Sequence, residues 1–288
     1  MRVANIDGRA TLLCKAEGGL DIAGASDGRF PSDPQRLIED WDAFLEWAAG
    51  RDDQADVAIE PERVGPPTPA PKQVFAIGLN YAEHVDESAM GRPDSPPVFT
   101  KFPTSITGPC APVTLPSATV DWEVELVVAI GRRAHHVSED EAWRHVAGLM
   151  VGQDLSERVV QLAGPVPQFS LGKSFPGFAP VGPVLVTPDE FKDRDDLELG
   201  CALDGEVLQR GRTRDMIFSV PELIARLSAV CPLLPGDIIF TGTPSGVGNA
   251  RNPKRFLTPG STLTSFVDGI GELRNEFVAG ARYPTPAS

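Results

Sequence analysis

The stretch Asp121-Trp122-Glu123-Val124-Glu125-Leu126-Val127-Val128-Ala129-Ile130 decides how this chain folds. Its second half is apolar and largely β-branched, which predicts a buried β-strand. Alternate side chains of a strand share a face, so Asp121, Glu123 and Glu125 point to the same side. Carboxylates on a buried strand repel each other and lose hydration, and a hard divalent cation relieves both costs. The alternative is a solvated strand face that carries acidic side chains.

A third carboxylate follows the next apolar run, Ala147 to Val151, which is also predicted to be a core strand. Asp154 lies where that strand ends, a usual place for the residues of a functional site. Arg158 and Gln161 share one face of a helix if a helix starts here. Asp154 completes a candidate set of oxygen ligands, although an aspartate at this position, taken alone, more often caps the helix.

The segment from Ile77 to Glu87 contains a candidate general base. Asn80 and Glu83 have the spacing of a capping box, which predicts a helix that begins at Asn80. His84 and Glu87 then lie on one helix face. A carboxylate beside an imidazole orients the ring and favours its protonated form, so the pair suits a site that activates water. The alternative is an exposed helix with incidental charges.

The glycine-rich turn from Thr241 to Gly248 follows a predicted buried strand, Asp237 to Phe240. Its backbone N–H groups can converge on an anionic group, and the glycines allow close approach. A tight turn that needs glycine for its geometry alone explains the pattern equally well. The segment lacks G-K-[ST], so it is not a P-loop.

In chain order these pieces are N-Y-x-x-H-x-x-E, E-x-E, D-x-x-x-R, the G-K-S-F segment at 172–175 and T-G-T-P-x-G-V-G. Together they resemble the fumarylacetoacetate hydrolase superfamily, in particular its acylpyruvate hydrolase and hydroxyheptadienedioate isomerase branch, over roughly residues 70 to 278. The resemblance implies an α+β fold that is mostly β: a mixed, layered β-roll with a few helices. It also implies a homodimer.

The resemblance implies a role for each candidate residue. Glu123, Glu125 and Asp154 match the family's metal ligands, usually for Mg²⁺ or Mn²⁺, and the same oxygen ligands also suit Ca²⁺. The residues that match the family's catalytic positions are His84, Glu87 and Lys173. The first two form a dyad that activates water on a lid over the substrate, and the lysine stabilises negative charge on the substrate.

The substrate itself is implied to be a small anionic 2-oxo acid. Arg158 and Gln161 match positions near the bound acid, and Thr243 matches the threonine that holds its carboxylate. Three positions depart from the usual family pattern and leave the exact substrate open: Gln153, Val159 and Pro176.

The implied reaction is metal-dependent hydrolysis of a C–C bond in a 2,4-dioxo acid, such as an acylpyruvate or fumarylacetoacetate, through an enolate held at the metal. This chemistry belongs to the catabolism of aromatic compounds. Proton transfer without attack by water gives isomerisation instead, and loss of CO₂ from a β-keto acid uses the same enolate. An isomerase or decarboxylase is therefore the alternative, and a binding module without chemistry is a third hypothesis.

Composition restricts the partners. The chain has 288 residues, 41% hydrophobic and 23% charged, which is ordinary for a globular protein. A formal net charge of -14 argues against nucleic acid, because phosphate binding requires a basic face. No apolar run is long enough for a membrane span, and the first residues do not resemble a signal peptide. With no C-x-x-C motif, a reduced, cytoplasmic protein is expected from the four dispersed cysteines, Cys14, Cys110, Cys201 and Cys231.

Residues 1 to 70 are predicted to form a small α/β region that ends in the proline-rich linker 65–71. Within it, a hairpin turns at Asp7-Gly8, and a helix starts near Asp33-Pro34. Residues 71 to 280 are the predicted catalytic domain, with helices near 139–147 and 220–230, and residues 281 to 288 are a predicted tail.

Overall fold

The computed structural model describes residues 1–14, 18–51, 55–88 and 91–281. Over these ranges the chain has the predicted α+β fold and is mostly β. Its strands are β1 Arg2–Ile6, β2 Arg9–Leu13, β3 Gly19–Asp21, β4 Val64–Gly65, β5 Val74–Ile77, β6 Val98–Thr100, β7 Ile106–Thr107, β8 Val113–Leu115, β9 Val120–Asp121, β10 Val124–Ile130, β11 Val146–Gln153, β12 Ser156–Glu157, β13 Ala179–Val186, β14 Glu198–Leu203, β15 Glu206–Arg212, β16 Ile238–Phe240, β17 Thr262–Val267 and β18 Gly271–Ala279. Its α-helices are α1 Ile22–Ala25, α2 Pro34–Leu37, α3 Trp41–Ala48, α4 Ala82–Ser88, α5 Glu139–Ala142, α6 Arg158–Gln161 and α7 Val220–Val230. No helix in these described ranges is long and apolar enough to cross a membrane.

One large sheet forms the centre of the molecule. Among the described residues it contains 11 strands, with the main order β3-β2-β1-β13-β11-β10-β16-β5-β6, while β4 pairs with β1 and β7 pairs with β13. A second sheet has the order β15-β14-β17-β18-β8, and β9 pairs with β12. Strands β10 and β11 lie in the middle of the large sheet and are buried along their whole length.

The side chains of β10 alternate between two hydrophobic cores, as strand geometry requires. Leu126, Val128 and Ile130 pack into a core shared with helix α7 and the second sheet. Val127 and Ala129 pack into a core shared with helices α2 and α3. The large sheet is therefore covered on both faces, which explains why β10 is a nearly continuous apolar run.

The predicted N-terminal hairpin is confirmed. Strands β1 and β2 pair antiparallel, and both turn residues, Asp7 and Gly8, have positive φ, as a type I′ turn requires. Asp33 caps the helix that starts at Pro34. Strand β1 also pairs with β13, so this region shares the large sheet with the second half of the chain. The domain boundary near residue 70 stays a prediction, and residues 282–288 of the predicted tail lie outside the described residues.

The stretch from Asp121 to Ile130 is not one continuous strand, as the sequence predicted. Strand β9 ends at Asp121 and β10 begins at Val124. The break has a specific cause, because the backbone N–H of Glu123 donates to the side-chain oxygen of Gln153 at 2.9 Å rather than to a strand neighbour. The interruption turns Asp121 toward β12, where it pairs with Ser156.

Two predicted helices have different bounds in the structure. Helix α4 begins at Ala82 rather than Asn80, because the Asn80 amide donates to the carbonyls of Phe218 at 3.0 Å and Thr241 at 2.7 Å. Asn80 therefore ties two loops together and does not cap the helix. The helix expected near 139–147 ends as a 3₁₀ turn at His145, and β11 starts directly after it. The helix expected at 220–230 is confirmed.

Candidate active site

Three carboxylates converge where β10 and β11 pair. Val124 of β10 lies opposite Gln153 of β11, so the residues that flank this pair are brought together. One carboxylate oxygen each from Glu123, Glu125 and Asp154 lies within 4.8 Å of the others. All three side chains are buried. The E-x-E pair and Asp154 thus form one cluster, and Asp154 does not cap helix α6, whose cap is Glu157.

Two buried lysines lie against this cluster. Lys173 Nζ donates to Glu123 Oε2 at 2.8 Å and to Asp154 Oδ2 at 2.5 Å. Lys101 Nζ donates to Asp154 Oδ1 at 2.6 Å and to the carbonyl oxygen of Lys173. Burial disfavours a charged amine, but the carboxylates of Asp154 and Glu123 outweigh it and raise the pKa of Lys173. Lys173 therefore carries its positive charge at the centre of the site.

Sequence reasoning missed Lys101. Its side chain is fully buried, and burial lowers its pKa in spite of the neighbouring Asp154. The only signal in the sequence is its position directly after the apolar strand β6, which parallels the position of Asp154 after β11. The contact with Asp154 is made by folding and leaves no spacing in the sequence that could be recognised.

Arg158 joins the cluster from the start of helix α6. Its Nε donates to Asp121 Oδ1 at 2.5 Å, its Nη2 lies 2.8 Å from Glu123 Oε1, and its Nη1 donates to Gln161 Oε1 at 2.8 Å. Burial alone would raise the pKa of Glu123, but Lys173 and Arg158 outweigh it and lower that pKa to about 2. Glu123 is therefore held as a carboxylate.

Glu125 differs from the other two carboxylates because it forms no ion pair with a lysine or arginine among the described residues. It accepts the backbone N–H of Gly242 at 2.7 Å. Burial, and then the charges of Asp154 and Glu123, raise the pKa of Glu125 well above its ordinary value. The acidic side chains of this buried network outnumber the basic ones by one, so one carboxylate has no basic counterpart. The acids are Asp121, Glu123, Glu125 and Asp154, and the bases are Lys101, Arg158 and Lys173.

The donor set fits a hard divalent cation. Three oxygen donors converge, and one of them belongs to a buried carboxylate without an ion pair. Within the part of the chain that the structure describes, no sulfur or imidazole ligand belongs to the cluster. Mg²⁺, Mn²⁺ and Ca²⁺ prefer such all-oxygen sites. The cluster could therefore hold one cation through Glu123, Glu125 and Asp154.

The predicted dyad lies on helix α4. His84 Nδ1 and Glu87 Oε1 are 2.7 Å apart. The other carboxylate oxygen of Glu87 accepts the backbone N–H of Gly246 at 2.9 Å, and Glu83 accepts the hydroxyl of Ser245 at 3.1 Å. Helix α4 is therefore docked onto the glycine-rich turn that the sequence singled out.

A cavity of about 410 Å³ lies between helix α4 and the carboxylate cluster. This volume falls in the range of small-molecule sites. Apolar side chains of Phe99, Leu162 and Phe169 cover part of its wall. Six residues that the sequence predicted for the site line this cavity: His84, Glu87, Glu123, Arg158, Gln161 and Lys173. The structure thus brings these six side chains to one cavity, while their individual catalytic roles stay predictions.

Thr243 is not among the residues that line the cavity. Its hydroxyl donates to the carbonyl of Val124 at 2.8 Å and accepts from Gln209 Nε2 at 2.8 Å. Its predicted contact with a substrate carboxylate would require this hydroxyl to leave Val124. The three positions that depart from the family pattern, Gln153, Val159 and Pro176, do not line the cavity either.

Comparison with known proteins agrees with this geometry. The sequence profile for the C-terminal part of fumarylacetoacetate (FAA) hydrolase matches residues 73–278, which hold the whole cluster, the dyad and the glycine-rich turn. The chain belongs to the fumarylacetoacetate hydrolase family. Members of this family are enzymes, so the chain is an enzyme of that family.

Proteins that are similar to this chain are named for several different reactions. Human oxaloacetate tautomerase FAHD2A, mitochondrial, is 38% identical over 266 residues, which cover 91% of this chain and 84% of the relative. The crystal structure of an HpcE-type protein from Mycobacterium smegmatis is 54% identical, with a TM-score of 0.93 and coverage of 97% and 100% of the two chains. Maleylpyruvate hydrolase from Sphingobium sp. SYK-6, solved with manganese(II) and pyruvate, is 29% identical, with a TM-score of 0.76 and the same coverage.

Proposed function

We propose that this enzyme is a divalent-metal-dependent tautomerase that interconverts the keto and enol forms of a 2-oxo acid such as oxaloacetate. One structural observation carries the proposal: a proton-transfer pair, His84 and Glu87, shares one cavity with Lys173 and with Glu123, the member of the buried carboxylate cluster that lines the cavity. The human tautomerase that resembles this chain over 84% of its own length supports the choice of reaction.

In the proposed reaction a proton leaves C3 of the acid, an enolate forms, and a proton is added to the oxygen on C2. His84 is the group that accepts and returns the proton, because its Nε2 is left for substrate while Nδ1 contacts Glu87. Lys173 and Arg158 supply positive charge beside the enolate oxygen and the acid's carboxylate. A cation held by Glu123, Glu125 and Asp154 would polarise the 2-oxo group.

The direct test follows the ultraviolet absorbance of enol-oxaloacetate in the presence of Mg²⁺ or Mn²⁺. We expect the enzyme to accelerate equilibration while total oxaloacetate stays constant, and chelation to abolish the acceleration. In D₂O the enzyme should speed exchange of deuterium into C3, observed by NMR. Pyruvate and CO₂ as the main products would instead identify a decarboxylase, and no acceleration of either process would refute the proposal.

Hydrolysis of an acylpyruvate is the second candidate. The His84–Glu87 contact of 2.7 Å is also the arrangement that activates a water molecule. The manganese-bound maleylpyruvate hydrolase, whose fold matches 97% of this chain, supports this reaction. Acetylpyruvate assayed by NMR decides between the two, since hydrolysis yields acetate and pyruvate whereas tautomerisation leaves the carbon skeleton intact.

We also propose that the enzyme is a homodimer. Apolar side chains are exposed on two neighbouring segments, 98–102 and 159–171, with Val166 83% and Leu171 66% exposed. The segments lie side by side, because the hydroxyls of Ser170 and Ser174 accept the backbone N–H groups of Thr100 and Phe102. Light scattering should give twice the chain mass for the native protein and the monomer mass for a Val166→Asp, Leu171→Asp variant. A monomeric native protein would refute the dimer.

The cytoplasmic location expected from the sequence stays a prediction. The name of the human relative assigns that protein to mitochondria. Fractionation of the native host, with immunodetection of this chain, tests the location directly.

A further inference from the structure

The glycine-rich turn that receives helix α4 is held on its other side by two side chains. Trp122 Nε1 donates to the carbonyl oxygen of Gly246 at 3.2 Å. Arg251 Nε and Nη2 donate to the same oxygen at 3.3 and 3.2 Å, and Nη2 also donates to the carbonyl of Leu208 at 2.8 Å. Because a guanidinium is a rigid planar donor, these contacts fix Gly246 against strand β15.

Gly246 connects this fixed point to the dyad. Its φ is +105°, and a Cβ added there would lie 2.3 Å from the carbonyl oxygen of Leu208, so only glycine fits. Its N–H donates to one carboxylate oxygen of Glu87 at 2.9 Å, and the other oxygen contacts His84 Nδ1 at 2.7 Å. The direction of one N–H group therefore determines where the Glu87 carboxylate lies.

We propose that Arg251 is a positioning residue for the His84–Glu87 pair and acts through Gly246. The inference rests on the proposed function, in which that pair moves protons. Among the described residues helix α4 spans seven, Ala82–Ser88, and hydrogen bonds within so short a segment orient the dyad weakly. Arg251 supplies orientation from outside the helix, by fixing the turn onto which Glu87 docks.

Arg251 also lines the cavity, so a direct contact with substrate is the competing explanation. The bonds of the guanidinium argue for positioning, because Nε and Nη2 are both engaged by backbone carbonyls. A group that binds substrate equally in the ground state and transition state changes KM, whereas a group that orients the dyad changes kcat. The two roles therefore predict different kinetic effects.

The test is a double-mutant cycle between Arg251→Met and Glu87→Ala, measured with enol-oxaloacetate at saturating Mg²⁺. We expect Arg251→Met alone to lower kcat by about 10- to 100-fold, the scale of a misplaced catalytic group. KM and the inhibition constant of oxalate should change little. In the Glu87→Ala background Arg251→Met should have almost no further effect, because the carboxylate that it positions is gone. Arg251→Lys, which keeps a single donor nitrogen at this position, should recover part of the rate.

The matched control is Arg255→Met. Arg255 lies on the same loop, and its side chain pairs with Glu206 at 2.8 Å, away from Gly246. This variant should keep the native kcat. Amide hydrogen exchange gives a readout that needs no substrate, since the N–H of Gly246 should exchange faster in both Arg251→Met and Glu87→Ala than in native protein or Arg255→Met.

Three results would overturn the inference. Equal losses of kcat from Arg251→Met with and without Glu87 would show a role independent of the dyad. A rise in KM at constant kcat would assign Arg251 to substrate binding. Native kcat in Arg251→Met would show no role at all. If Arg251→Met does not fold, Arg251→Lys and Arg251→Gln enter the same cycle. Absence of activity in the native enzyme on every 2-oxo acid would refute the proposed function instead, and the exchange measurement would still test the contact.

Discussion

The two sides of the cavity are built in different ways. The carboxylate side stands on β10 and β11, which are buried throughout in the middle of an 11-stranded sheet and packed on both faces. The dyad side stands on helix α4, whose described part spans seven residues and is docked on a turn through Glu83 and Glu87. The comparison indicates a preformed carboxylate side and a dyad side that depends on docking, a division typical of enzymes whose lids close over substrate.

The largest expected effect tests the preformed side. Glu125→Gln removes the uncompensated carboxylate but keeps its shape. Loss of a residue that only hydrogen-bonds to a metal ligand typically lowers metal affinity by about 10- to 100-fold. Because Glu125 is itself a proposed ligand, we expect the affinity for Mn²⁺ to fall more than about 100-fold. Titration calorimetry on native and variant protein measures this directly. Unchanged Mn²⁺ affinity, in a variant that keeps the native circular dichroism spectrum, would refute the assignment of the cluster as the metal site.

The second prediction tests whether the two sides are separable. His84→Ala and Glu87→Ala should each lower kcat by about 10²-fold or more, the scale of a lost general base. Both should keep native Mn²⁺ affinity by calorimetry, because neither residue belongs to the carboxylate cluster. Loss of metal binding in either variant would break the comparison, and full activity in both would remove the dyad from the mechanism.

A third prediction uses the raised pKa of Glu125 in metal-free protein. A carboxyl group whose folded pKa lies above its ordinary 4.5 binds more protons in the folded state, so its stabilising effect is full below pH 4.5 and is lost as the pH rises through the folded pKa. In excess chelator at pH 8, the Glu125→Gln variant, which cannot ionise at this position, should therefore be more stable than the native chain. We expect its free energy of unfolding to be higher by about 1–3 kcal/mol.

That stability difference should shrink as the pH falls, because the native Glu125 then takes up its proton. Mn²⁺ should reverse the order at pH 8, since only the native chain binds it tightly and binding stabilises the folded state. Thermal unfolding at several pH values, with chelator or Mn²⁺, measures both effects. A stability difference that does not vary with pH would contradict the buried, uncompensated state of Glu125.

The smallest effect expected is in the dynamics of the docked side. Amide exchange over residues 80–95 should slow severalfold when oxalate and Mg²⁺ bind, because ligand favours the docked position of helix α4. Exchange in β10 and β11 should change little, since these strands are already fully packed. Equal protection of residues 80–95 with and without ligand would remove the distinction between the two sides.

The sequence predicted the carboxylate side better than its surroundings. Alternation along a strand placed Glu123 and Glu125 together. The strand-end position of Asp154 made it a candidate third ligand, and the family resemblance favoured that role over a helix cap. These signals are local, so they can be recognised in one sequence. The N-terminal hairpin and the helix at 220–230 were predicted for the same reason.

Contacts between distant parts of the chain could not be predicted. Lys101 reaches Asp154 from a different strand, and no pattern near it indicates that contact. Asn80 has the sequence of a helix cap, but its amide bonds instead to Phe218 and Thr241, far along the chain. The break after β9 depends on the side chain of Gln153, again a contact that only the folded sheet creates.

The position of β1 in the large sheet has a consequence for synthesis on the ribosome. Strand β1, at residues 2–6, is made long before its partner β13, at residues 179–186. At a translation rate of 5–20 residues per second, β1 waits about 10–40 s for this partner. During that time residues 2–4 of β1 lack their partner strand on this side, because β4 pairs with Asn5 and Ile6 alone, so the nascent chain should be a substrate for ribosome-associated chaperones. Every carboxylate of the cluster is translated within the same interval, before the sheet that aligns them is complete.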